Sequence, residues 1–568
     1  MDKDILHTVK SVMGCMLVTA LAAGCAQEDI GNAPSEGGGL SASSYVSLSF
    51  ASPQGTPTRS NPTGGETGDG LEKGQANENA ITSAVAFFYQ GTDQKGVNSG
   101  GTTLIKAAVS FNVGNYTTPG NGIDRTYTTS PQQVDLENGT YNVIVVANPG
   151  ADWWTGQSLT LDDVRNHIQT TAWTASGSDY SDFVMTSAAD ATLTLNSNPS
   201  NAPAKATVNV ERMAARLDYK TTGTYTCTDP DYESNNQKAT VEITGAALVN
   251  NLTAGSYLLK RVADDVNGTN LSYLGDETAD ENGVATNYVL DPWTINKSKG
   301  LYGTWFMSGS SDPNWWATYV QPGTPVSDGW LRIGYTLENT TAADAAGSDY
   351  STGVVFKAKF NPQGVANYQG GATFFALGTH LFASMEDMMT YVYGADFSKF
   401  DAKIEACTDW TAVKNFAASL LDNDPSGYKS FLQGQDDTQD LTSVKESLKW
   451  KAYMLSKCGY SASLNNNAYS VKLDQNDDIS TREALQPYGT RTYEDATCYY
   501  TWWVRHSNDN DDTKKGIMEY AIVRNNIYKL TVNSIYSLGN DVPGEDENII
   551  LDVYVNDWLL LNPETLPM

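Results

Sequence analysis

"SSYVSLSFASPQGTPTRSNPTGGETGDG" runs from Ser43 to Gly70 and joins two segments of opposite character. In the first segment, Val46, Leu48 and Phe50 alternate with polar residues, which is the period-two pattern of a strand that buries one face. The second segment is rich in Pro, Gly and Thr and predicts a long loop. Arg59 lies in this loop and is the first arginine of the chain. The stretch therefore predicts a strand followed by an exposed loop that a protease can reach at one basic residue.

The same alternation recurs along most of the chain. Examples are "YNVIVVANP" from Tyr141, "DATLTL" from Asp190, "ATVEITGAALV" from Ala239 and "NIYKLTVNSIYSL" from Asn526. Hairpin-type Asn-Gly dipeptides occur between such segments, and the alternation of strands with helices that marks parallel sheets is absent. The pattern predicts a mainly β protein built from two antiparallel β-sandwich domains.

One region, from about residue 380 to 460, has helical rather than alternating spacing. Val413, Phe416 and Leu420 fall on one helical face, and Ser443 with Glu446 forms a capping-box pattern. We expect an α-helical insertion in the C-terminal domain, with its apolar stripes packed against the sandwich.

The length, composition and net charge limit the classes of protein to which the chain can belong. At 568 residues the chain is too long for one ordinary core, so two domains are expected. A hydrophobic fraction of 40% excludes disorder throughout. The net charge of −30 argues against binding to nucleic acid or to an anionic membrane surface.

The N-terminus has the features of an export signal. Lys3 and Lys10 accompany the apolar run "VMGCMLVTALAAGC", which is too short to span a bilayer. Small residues ahead of Cys25 fit the cleavage box of bacterial lipoproteins, in which the cysteine is acylated and becomes the new N-terminus. We therefore expect residues 1–25 to be a signal peptide and Cys25 to carry lipid. The alternative is ordinary signal cleavage that leaves a free cysteine.

Motifs for catalysis or metal binding are missing from the sequence. The histidines stand apart from one another, and no zincin, serine-hydrolase or phosphate-loop pattern is present. Residues 422–433 have the acidic spacing of a calcium loop, but Gln433 replaces its glutamate and Pro425 lies inside it. The remaining cysteines have no metal-ligand spacing and allow three disulfide pairings or none. They are Cys227, Cys407, Cys458 and Cys498. The sequence predicts a protein without enzyme activity, cofactor or metal.

Several segments resemble one family. "YAIVRNNIYKLTVNSIYSLG", from Tyr520 to Gly539, resembles the V-x-R-N-N-I-Y-x-L-x-V-x-S-I-x-x-L-G signature of Bacteroidia fimbrillins in the type V pilin superfamily. "CYYTWW" and "ENIILDVYVNDW" on either side also match. "ATVNVERMAARLDY", from Ala206 to Tyr219, is similar to the family's V-x-V-E-R-x-x-A-R strand, and "SSYVSLSFASPQGTPTRS" to its first strand and processing loop. The resemblance is closest to the shaft subunits of the minor fimbriae and implies transthyretin-like sandwiches.

The resemblance also implies a maturation pathway. Family shaft subunits reach the cell surface as lipoproteins, and an arginine-specific protease then cuts the loop that follows the first strand. Arg59 is the position that fits, so Ser60 becomes the new N-terminus and residues 26–59 form a tether and removable strand. The alternative is that Arg59 is simply an exposed arginine.

Losing this strand would leave a groove. Burial of Val46, Leu48 and Phe50 at about 1.5–3 kcal/mol each amounts to roughly 5–9 kcal/mol, comparable with the stability of a domain. The groove and its unpaired backbone would accept another strand, and a tail supplied by the next subunit would make a non-closing, filament-forming contact. The predicted donor side chains lie between about residue 549 and 568. They are Ile549, Leu551, Val553, Val555, Leu559 and Leu561. The alternation around Val553 is also consistent with a strand of the chain's own second domain, with Leu559 to Met568 as the donor.

The sequence thus predicts residues 60–217 as an N-terminal sandwich and 218–568 as a C-terminal sandwich with the insertion. The expected function is that of a fimbrial shaft subunit at the outer membrane and cell surface that serves adhesion and biofilm formation. Its expected partners are other copies of itself, anchor and tip subunits, the processing protease and surface receptors. The alternatives are an anchor or tip subunit and a glycan-binding surface lipoprotein.

Overall fold

The structure is a computed structural model. It describes residues 43–51, 70–91, 103–113, 115–117, 126–228, 238–261, 288–293, 320–340, 347, 350–384, 387–388, 391, 406–412, 415, 440–442, 490–506, 519–544 and 549–559. All of these residues belong to one compact unit, Ala42–Met568. None of the helices among them is long and apolar enough to cross a membrane.

The described residues before Thr224 form fifteen strands and one short α-helix, α1 (Leu161–Arg165). The strands are β1 (Ser44–Ala51), β2 (Gly70–Lys73), β3 (Ser83–Tyr89), β4 (Ile105–Asn112), β5 (Asn115–Thr117), β6 (Thr126–Thr128), β7 (Gln132–Val134), β8 (Gly139–Ala147), β9 (Ile168–Gln169), β10 (Thr174–Ser176), β11 (Asp179–Ser181), β12 (Met185–Ser187), β13 (Ala191–Leu195), β14 (Ala204–Arg212) and β15 (Ala215–Lys220).

The described residues from Thr224 onward form twelve further strands and one 3₁₀ helix, Glu494–Ala496, and positions 387–388, 391, 410–412, 415 and 441–442 are α-helical. The strands are β16 (Thr224–Thr228), β17 (Lys238–Val249), β18 (Ser256–Tyr257), β19 (Thr324–Pro325), β20 (Leu331–Thr336), β21 (Gly353–Pro362), β22 (Phe374–Leu377), β23 (His380–Phe382), β24 (Thr490–Tyr493), β25 (Thr497–Trp503), β26 (Asn526–Ile535) and β27 (Ile549–Leu559).

A ten-stranded sheet dominates the N-terminal half. Its order is β4-β3-β8-β12-β14-β1-β6-β5, with β13 on β8 and β7 on β1. β3 and β8 are buried on both faces, which explains why "SAVAFFY" and "YNVIVVA" are almost continuously apolar. Phe88 and Val145 face one core, whereas Phe87 and Ile144 face a second core that α1 covers with Val164.

A sandwich of two sheets forms the C-terminal half. One sheet has the order β19-β20-β15-β26-β27-β2 and the other the order β16-β17-β21-β25. Both contribute to a single core in which Leu217 and Leu530 of the first sheet lie with Val241 and Phe356 of the second. The last glycine of the predicted signature, Gly539, has a packing role, because a Cβ there would lie 2.5 Å from the Tyr499 carbonyl oxygen.

The mainly β fold predicted from the alternation is confirmed. The prediction that the strands pair in antiparallel orientation is wrong for three strand pairs. β1 with β14, β15 with β26 and β2 with β27 are parallel. The chain passes from the ten-stranded to the six-stranded sheet between β14 and β15, and β2 also belongs to the six-stranded sheet. The predicted insertion begins with β23, and most of its residues lie outside the described ones.

Candidate functional site

The predicted removable strand, β1, lies in the interior of the ten-stranded sheet. It runs parallel to β14, with six residue pairs from Val46↔Ala204 to Ala51↔Asn209. On its other side it is antiparallel to β6 and β7. Since β1 separates β14 from β6 and β7, its removal would divide the sheet and expose a strand edge on each side of the gap.

The three predicted anchor side chains of β1 are fully buried. Val46 and Leu48 are 0% exposed and Phe50 is 1% exposed. All three belong to the main N-terminal core, together with Phe88 of β3 and Phe111 of β4. Loss of β1 would therefore open an apolar groove along this core rather than uncover a surface patch.

Thr129, which follows β6, fixes the position of β1 along the groove. Its hydroxyl accepts a hydrogen bond from the Leu48 N–H at 2.9 Å, and its own N–H donates to the Leu48 carbonyl at 2.9 Å. The Ser47 hydroxyl donates to the Thr129 carbonyl, also at 2.9 Å. Removal of β1 would leave these polar groups of Thr129 available to an incoming strand.

The strand that follows the loop, β2, is held in the other half of the molecule. It pairs in parallel with β27, from Gly70↔Asn556 to Lys73↔Leu559. The Glu72 carboxylate accepts hydrogen bonds from Arg216 at 2.8 Å and from Lys529 at 2.6 Å. β1 and β2 therefore belong to different sheets, and a cut after Arg59, which lies between them in the sequence, would separate β1 from the anchored segment that begins at β2.

Two arginines of the V-x-V-E-R-x-x-A-R segment bind the residues after β2. The Arg216 guanidinium contacts Glu78 at 2.9 Å and Asp218 at 2.8 Å, and all three side chains are 0% exposed. Arg212 donates to the Glu78 carbonyl at 3.0 Å and to the Asn79 side chain. Tyr335 donates a further hydrogen bond to Glu78. The motif therefore builds a buried polar cluster, the strap cluster, that ties the segment 70–79 to β14 and β15.

The two guanidinium groups of the strap cluster have opposite pKa shifts. Burial lowers the pKa of Arg212 to about 10, although the charge of Glu78 opposes this shift. For Arg216, burial also favours the neutral form, but the carboxylates of Asp218 and Glu78 outweigh it and raise its pKa. Both arginines therefore remain cationic at neutral pH, and the cluster is ionic.

Replacing Arg216 with methionine should lower the free energy of unfolding by about 3–5 kcal/mol, because it leaves buried carboxylates without their cation. Urea unfolding at pH 7 measures this change. Lys220→Met is the matched control, since Lys220 donates only to the exposed Asp328 carbonyl and lies 5.8 Å from the Trp330 ring. We expect the control to cost under about 1 kcal/mol. Equal effects of the two variants would contradict the role of the strap cluster.

The signature residues around Arg524 form a second cluster of polar contacts between the two halves of the molecule. Arg524 is 2.6 Å from Glu338, and it donates to the carbonyls of Leu258 and Tyr257. Asn525 adopts a left-handed conformation with φ of 58°, which asparagine tolerates, and its side-chain oxygen accepts from the Arg212 N–H at 3.0 Å. The two motifs that carried the family resemblance thus meet in space, and their polar residues hold the two halves together.

The predicted donor residues of β27 lie in the chain's own C-terminal core. The exposed fraction is 2% for Ile549, 7% for Leu551, 3% for Val553 and 2% for Val555. β27 pairs with β26 in antiparallel orientation from Asn526↔Asp557 to Ile535↔Ile549. Leu559 is the last residue of the strand. Cys25, Arg59, Ser60 and Leu561 lie outside the described residues.

Sequence reasoning missed the acidic partners of the strap cluster. Glu72 and Glu78 follow a loop-like segment and look like ordinary solvated residues in the sequence. The available signal was the pair Arg212 and Arg216 within a largely apolar segment of predicted strand, because buried arginines need carboxylate partners.

The described histidines and cysteines occupy structural positions. His167 stacks on Trp153 with ring centroids 3.9 Å apart, and burial lowers its pKa. Cys227, Cys407 and Cys498 are buried, while Cys458 lies outside the described residues. Across the described ranges, no three His, Cys, Asp or Glu side chains are grouped to hold a metal ion.

Comparison with known protein families gives a match for the C-terminal part of the chain. Residues 491–562 match the C-terminal region of the type IV major fimbrial subunit proteins, the fimbrillins. No curated protein matches the sequence significantly. The matched region includes the Tyr520–Gly539 signature, so the predicted resemblance to fimbrillins is confirmed for this part of the chain.

Solved structures of low identity also align with the chain. A candidate cell adhesion protein from Parabacteroides distasonis has 12% identity and a TM-score of 0.38, with 91% of this chain and 100% of that chain covered. One from Bacteroides eggerthii has 10% identity and a TM-score of 0.33, with 91% and 96% covered. The tip fimbrial protein Mfa3 from Porphyromonas gingivalis, solved with a C-terminal truncation, has 10% identity and a TM-score of 0.30, with 91% and 100% covered.

Proposed function

We propose that this protein is the polymerising shaft subunit of a surface fimbria of the minor-fimbria type. In this proposal each subunit loses β1, and a C-terminal segment of the next subunit replaces it. The interior position of β1 supports the exchange most strongly, because its loss leaves a long apolar groove between two unpaired strand edges. The contact joins different surfaces of two copies, so it extends as a filament.

The donated segment in this proposal is residues 560–568, the part of the predicted donor Leu559–Met568 that follows β27. The side chains of Ile549, Leu551, Val553 and Val555 already belong to the core of their own subunit, so donating them would expose that core. β27 instead fixes the starting point of the tail at the six-stranded sheet. The groove in the next subunit would then receive the residues that follow β27.

Processing after Arg59 releases β1 in this proposal. Delivery to the outer membrane proceeds through lipid on Cys25, and an arginine-specific protease makes the cut. The strap cluster supports this order of events, since its ion pairs to Glu72 and Glu78 involve no residue of β1. The subunit is structural rather than catalytic, with other copies of itself, anchor and tip subunits and surface receptors as partners in adhesion and biofilm formation.

N-terminal sequencing of purified fimbriae tests the processing step. We expect the subunit in the fibre to begin at Ser60, because the cut must detach β1 while sparing β2. A fibre subunit that begins at acylated Cys25 would instead fit an anchor that keeps its first strand. That result would contradict the shaft assignment.

A further inference from the structure

A cleft outside the groove and the C-terminal strand has the features of a ligand site. It lies between the hairpin β10–β11 and the strands β17 and β20, and its volume is about 640 Å³. This size is in the range of small-molecule sites. The residues that line it include Trp173, Ala175, Tyr180, Asn251, Arg332 and Tyr335.

Arg332 supplies a buried positive charge to the cleft. It is 8% exposed, and its guanidinium carbon lies 5.2 Å from the Tyr180 ring and 5.1 Å from the Tyr335 ring. Its hydrogen bonds go to neutral groups, the Tyr335 hydroxyl at 3.0 Å and the Ser178 carbonyl at 3.1 Å. In the described part of the chain no carboxylate forms an ion pair with it. Its charge reaches the Glu78 carboxylate only through the Tyr335 hydroxyl, so an anionic ligand group in direct contact would offset more of the cost of burying it.

Other residues that line the cleft provide aromatic surface. Trp173 and Tyr180 are half-buried at the cleft and present aromatic rings. Asn251 also lines the cleft and is 8% exposed. The cleft therefore combines a cation with aromatic surface.

We infer that this cleft binds an acidic saccharide unit. A sugar carboxylate would pair with Arg332, and the apolar face of the ring would lie against Trp173 or Tyr180. A carboxylate from a peptide would satisfy Arg332 but would leave much of the aromatic surface unused. The site shares no residue with β1 or β27, so the inference stands independently of strand exchange.

Ligand-observed NMR and calorimetry on the purified full chain test the inference. The probes are methyl glucuronoside and methyl glucoside, which differ only in the carboxylate. We expect saturable binding of the glucuronoside and at least tenfold weaker binding of the glucoside. Arg332→Gln should weaken the glucuronoside at least tenfold.

Ala175→Trp keeps the test valid if the Arg332 variant fails to fold. Ala175 is exposed on β10 and lines the cleft, so a tryptophan there should fill it and abolish binding. Ser176→Trp, on the next exposed residue of the same strand, is the matched control and should bind normally. Absence of saturable binding, equal binding of both sugars, unchanged binding by Ala175→Trp, or binding only to an acetylated peptide ending in glutamate would each overturn the inference.

Discussion

Cells that carry Arg59→Ala should display almost no fimbriae of this subunit, with SDS-resistant polymer reduced at least about 100-fold. The uncut strand stays covalently attached beside its groove, and burial of its three anchors is worth roughly 5–9 kcal/mol. An incoming tail would have to displace it against that free energy, which corresponds to a factor of ten for each 1.4 kcal/mol. Immunoblots of unboiled surface extracts and immunoelectron microscopy measure the polymer.

Arg125→Ala is the matched control, because Arg125 is the next arginine of the chain and is not expected to be the processing residue. It should leave fimbriae unchanged. A second variant replaces the segment around Arg59 with the site of an unrelated protease and should polymerise only after that protease is added. Normal fibres from Arg59→Ala without cleavage would show that the first strand need not leave.

A synthetic peptide with the sequence of β1, residues 43–52, should stop polymerisation of processed subunits. Val46, Leu48 and Phe50 of the peptide would refill the groove, and the Leu48 backbone would restore the hydrogen bonds to Thr129. Growth followed by light scattering should fall with peptide concentration until assembly ceases.

The control is the same peptide with Leu48→Asp, which places a carboxylate where the leucine is fully buried. Burying an unpaired charge costs several kcal/mol, so the control should inhibit at least ~100-fold less well. Equal inhibition by the two peptides would indicate a site other than the groove of β1.

The sequence predicted the parts of the fold that follow from local patterning. Alternation placed β1 with its three anchors inward, because a strand with one buried face must have a period of two. The same pattern predicted β27. It did not show whether the side chains of β27 enter the core of their own chain or the groove of the next subunit. The structure shows Val553 in the core of its own chain.

Relations between distant segments were not predictable from one sequence. Nothing in β1 indicates that it lies parallel to β14, since strand direction depends on where the intervening chain returns to the sheet. Likewise, Glu72 becomes an anchor only because β2 crosses to the six-stranded sheet and meets Arg216 and Lys529. Electrostatic pairing of this kind is spatial, so the arginine motif was visible while its partners were not.

Removing residues 560–568 tests the exchange most directly, because it takes away the proposed donor while leaving β27 intact. The truncated subunit should fold with normal thermal stability, undergo cleavage after Arg59 and stay monomeric. Added to wild-type subunits, it should end growing fibres, since its groove accepts a tail but it has none to give. A chain with the nine residues replaced by Gly and Ser serves as a length-matched control and should also fail to polymerise. Fibres of normal length and SDS resistance from the truncated subunit alone would contradict the account.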